Sequence, residues 1–106
     1  MIVVTTDFIP GKKVTEVIGL VKGNTIRARH LGKDILAGIK GMIGGEIEEY
    51  TKMIAESREQ CIDRMREDAR SKGADAVISV RFTTSSMMQG AAELLAYGTA
   101  VKLADE

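Results

Sequence analysis

The stretch EIEEYTKMIAESREQCIDRMREDARSK, residues 46–72, decides how the fold is read. It contains no Gly or Pro and is dominated by strong helix formers. Glu46, Glu48 and Glu49 crowd its first turns, where carboxylates suit the positive end of the helix dipole. Glu48–Lys52 and Asp68–Lys72 are i,i+4 pairs of the favourable polarity. Gly73 stands where a left-handed residue would stop the helix. Ile43, Ile47, Tyr50, Ile54, Cys61, Met65 and Ala69 fall on one apolar stripe, interrupted by Ser57 and Arg58. A helix of about 27 residues is roughly 40 Å long. A compact domain of this chain length has a radius of gyration of only roughly 13 Å. The helix is therefore expected to overhang its own sheet or to lie along a larger assembly.

Working outward, the flanks read as strands. Met1 to Thr6 is a short apolar strand, and Pro10-Gly11 a turn. Lys13 to Val21 is rich in β-branched residues, with Gly19 inside it marking a bulge or a close backbone approach. Gly23-Asn24 is expected to break this run before Thr25 to His30 resumes it. There Ile26 and Ala28 share one face and Arg27 and Arg29 the other. Leu31 to Lys40 reads as a short helix, closed by Gly41. Downstream, Ile78, Val80 and Phe82 alternate with Ser79, Arg81 and Thr83. In the last strand Leu95, Tyr97, Val101 and Leu103 share a face, and Gly98 suggests a kink. The order strand–strand–helix–helix–strand–strand, ββααββ, predicts an α+β protomer. Its twisted sheet would be mostly antiparallel and packed on one long helix.

Composition bounds the function. The 106 residues form a single domain, residues 1–106, with 44% hydrophobic and 28% charged residues. Fifteen Lys and Arg balance fifteen Asp and Glu, which argues against a dedicated nucleic-acid binder. A single Cys precludes an intrachain disulfide, and a single His precludes a His-only metal site within one chain. No apolar run is long enough to cross a bilayer as a helix. The opening MIVVTTDFIPG has no basic lead and no apolar core of signal-peptide length, which predicts a cytoplasmic protein.

Few residues offer chemistry. Cys61 lies near the centre of the helical stripe, as a core thiol or as a soft-metal ligand. Arg58, one turn earlier, favours the second reading, because a cation beside a thiol stabilises the thiolate. One thiolate cannot hold zinc alone, so a metal site needs either several copies gathered by symmetry or other side chains to complete the shell. His30 is a weaker ligand candidate, since Arg27, Arg29 and Lys33 surround it in sequence and oppose a metal cation. Met87 and Met88 would point to opposite faces of a strand and so do not chelate one ion. The Gly38–Gly45 segment matches no phosphate-binding motif. With one His and no GxSxG, the chain presents no hydrolase triad. Arg27, Arg29, Arg81, Thr83 and Tyr97, with Arg58, are the polar residues suited to a ligand pocket between subunits.

Three segments, TTDFIPGKKVTEVIGLVKGNTIRARH, DILAGIKGMIGGEIEEYTKM and GADAVISVRFTTSSMMQGAAELLAYGTAVKL, together resemble the YbjQ-like family across nearly the whole chain. Its members are small prokaryotic proteins described as heavy-metal-binding but functionally uncharacterised. The resemblance implies a dodecin-like protomer assembled as a ring-shaped homopentamer, with no established enzymatic activity. It brings no ligand set that maps residue by residue onto this chain. Two functions follow as expectations. One is binding of a soft metal ion or metalloid, with Cys61 the first donor. The other is non-catalytic binding of a small molecule at subunit interfaces. Both involve a homo-oligomer, with no nucleic acid and no membrane.

Overall fold

The computed structural model describes residues 1–28, 45–88 and 91–106. Four strands and one long helix are found there: β1 (Ile2–Val3), β2 (Lys12–Ala28), α1 (Gly45–Ser71), β3 (Ala76–Met88) and β4 (Ala91–Asp105). The fold is α+β, and the four strands form one mixed sheet in the order β1-β3-β4-β2. β1 pairs parallel with β3, and the other pairings are antiparallel. The expected short helix at Leu31–Lys40, its Gly41 stop and the Gly38–Gly44 glycines lie outside the described residues. At about 3.3 Å per residue, the 17 residues of β2 span roughly 56 Å. That accounts for the molecule's long axis of 57 Å, against 24 and 17 Å in the other directions.

The helix follows the sequence reading to within a residue at each end. It stops in a Schellman motif, with Gly73 at φ 77°. Gly73 N–H donates to Arg70 O and Ala74 N–H to Ala69 O, both at 3.1 Å, so the last carbonyls are satisfied. Asp68 and Lys72 form their ion pair at 3.2 Å. The side chains of Glu48, Ile43, Ile47 and Tyr50 lie outside the description. Ser57, Cys61, Met65 and Ala69 are fully buried, and their four-residue spacing makes one ridge along the helix. Ser57 therefore belongs to the buried ridge, with its hydroxyl donating to Met53 O at 2.8 Å. Arg58 turns out to solvent, contrary to its expected place on the inward stripe.

Small residues let the ridge sit close to the sheet. Val21, Leu94, Ala96 and Ala100 meet Cys61, Met65 and Ala69 in the main core, which also takes in Val77 and Val80. Gly23 is the closest point. A Cβ there would lie under 3.0 Å from Cys61 O, Met65 N and Arg64 Cβ. This corrects the expected break at Gly23-Asn24, because β2 pairs with β4 without interruption from Gly19 to Ala28. The glycine makes room for helix backbone instead of ending the strand. Gly98 is likewise a close approach: a Cβ there would meet Val77 Cγ1 at 2.7 Å and Val80 Cγ2 at 3.1 Å.

Bulges decide which side chains face which way. The β3–β4 register shifts between Ile78 and Arg81, around Ser79 at φ 55°. Ile78 consequently packs with Ala76 and Val101 in a second cluster on the helix-free face, while Val80 joins the main core. The even alternation expected for Ile78, Val80 and Phe82 fails at that extra residue. In β2 the register shifts between Val14 and Glu16 and again between Val17 and Gly19. Gly19 adopts φ 136°, so the bulge expected there is present. The two bulges bring Val14, Val17 and Leu20, three apart in sequence, opposite Leu103, Val101 and Thr99. All three therefore lie on the helix-free face, where Leu95, Tyr97, Val101 and Leu103 also line up as expected.

Candidate functional site

The helix-free face of the sheet gathers most of the described polar candidates. The ladders pair Lys22 with Tyr97 and Tyr97 with Arg81. Directly paired residues share a face, so Lys22, Tyr97 and Arg81 form one row across β2, β4 and β3. The next row is Asn24, Leu95 and Thr83. Strands lie about 4.8 Å apart, which puts the two cationic residues' backbones about 10 Å apart, on either side of Tyr97. Tyr97 is half-buried, and Lys22, Arg81 and Thr83 are exposed.

The guanidinium of Arg81 is positioned by backbone. Its Nη1 donates to Thr5 O at 3.0 Å and to Val80 O at 2.8 Å. Nε and Nη2 have no partner among the described residues and remain available to an acceptor. Lys22 Nζ is in no ion pair among the described residues. Asn24 Nδ2 donates to Glu93 Oε2 at 3.0 Å, which engages that carboxylate away from the two cations. The arrangement is a tyrosine flanked by two cations. It suits a small ligand with an anionic group and a flat apolar part. Lys22 is the residue that sequence reasoning missed. Only the register brings it beside Tyr97, and an expected break at Gly23-Asn24 hid that register.

Other candidates are placed elsewhere. Arg27 pairs with Ala92 in the ladder, and its side chain lies outside the description, as do Arg29 and His30 altogether. Arg58 is on the exposed side of the helix, away from the Lys22–Tyr97–Arg81 row. Cys61 is fully buried. Its thiol donates to Leu94 O at 3.3 Å and lies 3.4 Å from Thr25 Oγ1. Both sulfur contacts are made within the core. Among the described residues no three His, Cys, Asp or Glu side chains converge as a metal site. Within one protomer, then, the described residues do not fit a resident soft metal ion. No described helix is long and apolar enough to cross a membrane.

The comparisons with known proteins cover the same span. Residues 1–104 match the YbjQ family model, described as "Putative heavy-metal-binding". A UPF0145 protein of Methanosarcina acetivorans is 58% identical over 103 residues, covering 97% of both chains. One from Vibrio parahaemolyticus is 53% identical over 105 residues, covering 99% of this chain and 100% of the relative. One from Clostridioides difficile is 56% identical over 106 residues, covering all of this chain and 95% of the relative. A crystal structure of a DUF74-family protein of unknown function from Pediococcus pentosaceus superposes with a TM-score of 0.64 at 14% identity, covering 98% of each chain. That likeness speaks for the fold alone. On the full-length match and these identities, the chain belongs to the UPF0145 (YbjQ) family.

Proposed function

We propose that this protein is a homo-oligomeric, non-catalytic binding protein. Its site is the Lys22–Tyr97–Arg81 row, and the ligand is a small organic anion with a planar apolar part. The register that sets one tyrosine between two cations carries this reading. An open sheet face becomes a closed site only when something covers it, and ligand sites generally bury most of their ligand. A neighbouring copy in a ring, a dodecin-like homopentamer by family resemblance, would supply that cover. Exposed cations give the attraction a strong salt dependence. Arg81 offers two neighbouring donors to a carboxylate or phosphate, and the Tyr97 ring offers a face for stacking.

The second reading, soft-metal binding with Cys61 as donor, rests on the family's description. It requires Cys61 to leave the core and exchange its contacts with Thr25 and Leu94 for a metal. Native mass spectrometry of freshly purified protein separates the two readings. The first predicts an oligomer carrying an organic mass that survives Cys61→Ser and is lost in the Lys22→Gln/Arg81→Gln double variant. If no mass is retained, titration with naphthalene-2-carboxylate should quench Tyr97 fluorescence saturably, and the double variant should not respond. A metal-sized mass that disappears with Cys61→Ser would favour the second reading. Absence of both a retained organic mass and saturable quenching would overturn the first.

A further inference from the structure

The two borders of the sheet carry unpaired backbone in different places. β1 covers β3 only at its start, pairing Ile2 with Ala76 and Val3 with Val77. Residues just after β1 extend the cover, as Val80 N–H donates to Val4 O and Ser79 N–H to Thr6 O. From Arg81 to Met88, β3 pairs with β4 on one side and has no strand on the other among the described residues. This stretch lacks the usual protection of an exposed edge. It has no Pro, and its only charge is Arg81, at its beginning. Phe82 pairs with Ala96 on the helix side. The helix packs mainly over β2 and β4, so Phe82 remains 47% exposed.

On the opposite border, the helix guards the middle of β2. Lys22 N–H donates to Asp68 Oδ2 at 3.1 Å, Lys72 Nζ donates to Leu20 O at 3.4 Å, and Arg64 Nη1 donates to Asn24 O. Residues 12–18 of β2 precede this guarded stretch. Lys12 N–H is taken by Ile9 O at 3.1 Å, whereas the outer edge of residues 13–18 has no backbone partner among the described residues, and Val14 and Val17 beside it are 41% and 64% exposed.

We propose that residues 81–88 of one copy pair with residues 12–18 of a second copy, joining successive sheets edge to edge. This rests on the homo-oligomer reading and names its contact. The occupant is a second copy because, among the described residues, the chain itself supplies an unpaired edge of similar length on the other side of its sheet. The two edges are different surfaces, so the contact is heterologous. A heterologous contact repeated on a twisted sheet closes into a ring when the rotation permits. A two-fold pairing of 81–88 with itself would leave the second edge, with Val14 and Val17 exposed beside Lys13 and Glu16, without a strand partner.

Thr84 and Thr15 sit near the middles of the two stretches and come together whichever way the strands run. In a Cys61→Ser background, Thr84→Cys with Thr15→Cys should be linked by a short thiol-to-thiol reagent into a ladder ending at the ring mass. Neither single variant should link. Native mass spectrometry of the same samples supplies the second readout. A cross-linked dimer from Thr84→Cys alone would overturn the proposal in favour of a two-fold contact. An intact oligomer without the ladder would overturn this contact while leaving the oligomer standing. A monomer would overturn both.

Discussion

The edge of β2 from Leu20 to Asn24 and the edge of β3 from Arg81 to Met88 present the same backbone groups, and the chain treats them differently. The first is sealed by Lys72, Asp68 and Arg64, three side chains of the helix's last turns and C-cap. The second faces outward with hydroxyls and one half-exposed phenylalanine. An unpaired strand edge attracts other strands, so sealing one edge while the other has no strand partner among the described residues would direct where copies associate in the proposed assembly. The helix can seal only one border because Gly23 seats it over β2.

Removing that seat should have the largest effect. Gly23→Ala drives a methyl into the helix backbone at Cys61 and Met65, where nothing can yield cheaply. We expect a loss of about 3 kcal/mol or more, on the scale of core overpacking, read as a lower urea midpoint and loss of assembly. An unchanged midpoint would mean the helix is not held at this point.

Thr84→Lys should come next, by placing a charge on the bare edge. The expected outcome is a folded monomer by circular dichroism and light scattering. An intact oligomer would leave the two edges without functional contrast. Gly19→Val tests the bulge that returns Leu20 to the helix-free face. With φ 136°, any L side chain is strained there, at a cost of about 1–2 kcal/mol. Assembly should weaken, and an unchanged oligomer by light scattering would count against this account.

Asp68→Ala should unseal the β2 edge at Lys22 with a modest loss of about 1 kcal/mol and new concentration-dependent aggregation. Unaltered solubility would show that the seal is dispensable. The smallest effect is expected at Asp105. Its hydrogen bond and charge attraction with Lys12 hold its carboxyl below the ordinary range. The folded pKa is lowered, so the pair's contribution is present above the usual carboxylate range and is lost as pH falls through the lowered value. Asp105→Asn should therefore narrow the gap in melting temperature between neutral and strongly acid pH, slightly, since the pair is fully solvated.

The elements on either side of this contrast were legible before the structure, and the contrast itself was not. The helix, its C-terminal glycine and the strand flanks follow from local propensity and periodicity, which are properties of neighbouring residues. The side chains that seal β2 are visible as charges on the helix, but their targets lie 40 to 52 positions away along the chain. The break expected at Gly23 shows the same limit. A glycine in a strand looks alike whether the strand ends or a helix presses on it. The Ser79 bulge has no sequence signal, because the φ 55° there falls on Ser, a residue without glycine's freedom. That single extra residue separates Ile78 from Val80 and helps set which residues stand opposite Tyr97. Three polar candidates, Arg81, Thr83 and Tyr97, were recognisable by residue type. Lys22 became a fourth only through pairing. Cys61 was recognisable as the lone thiol, and its burial between Thr25 and Leu94 depends on where Gly23 seats the helix.

The most direct test of the unequal edges is amide hydrogen exchange of the wild-type protein, read by fragment mass at concentrations above and below assembly. The outward-facing amides of residues 13–18 and 81–88, which the β4 ladders leave unbonded, should exchange quickly in the dilute protomer and slowly in the assembly, while the Lys22 amide is slow in both. Fast exchange of those amides across 81–88 at every concentration, with a stable oligomer present, would contradict this account.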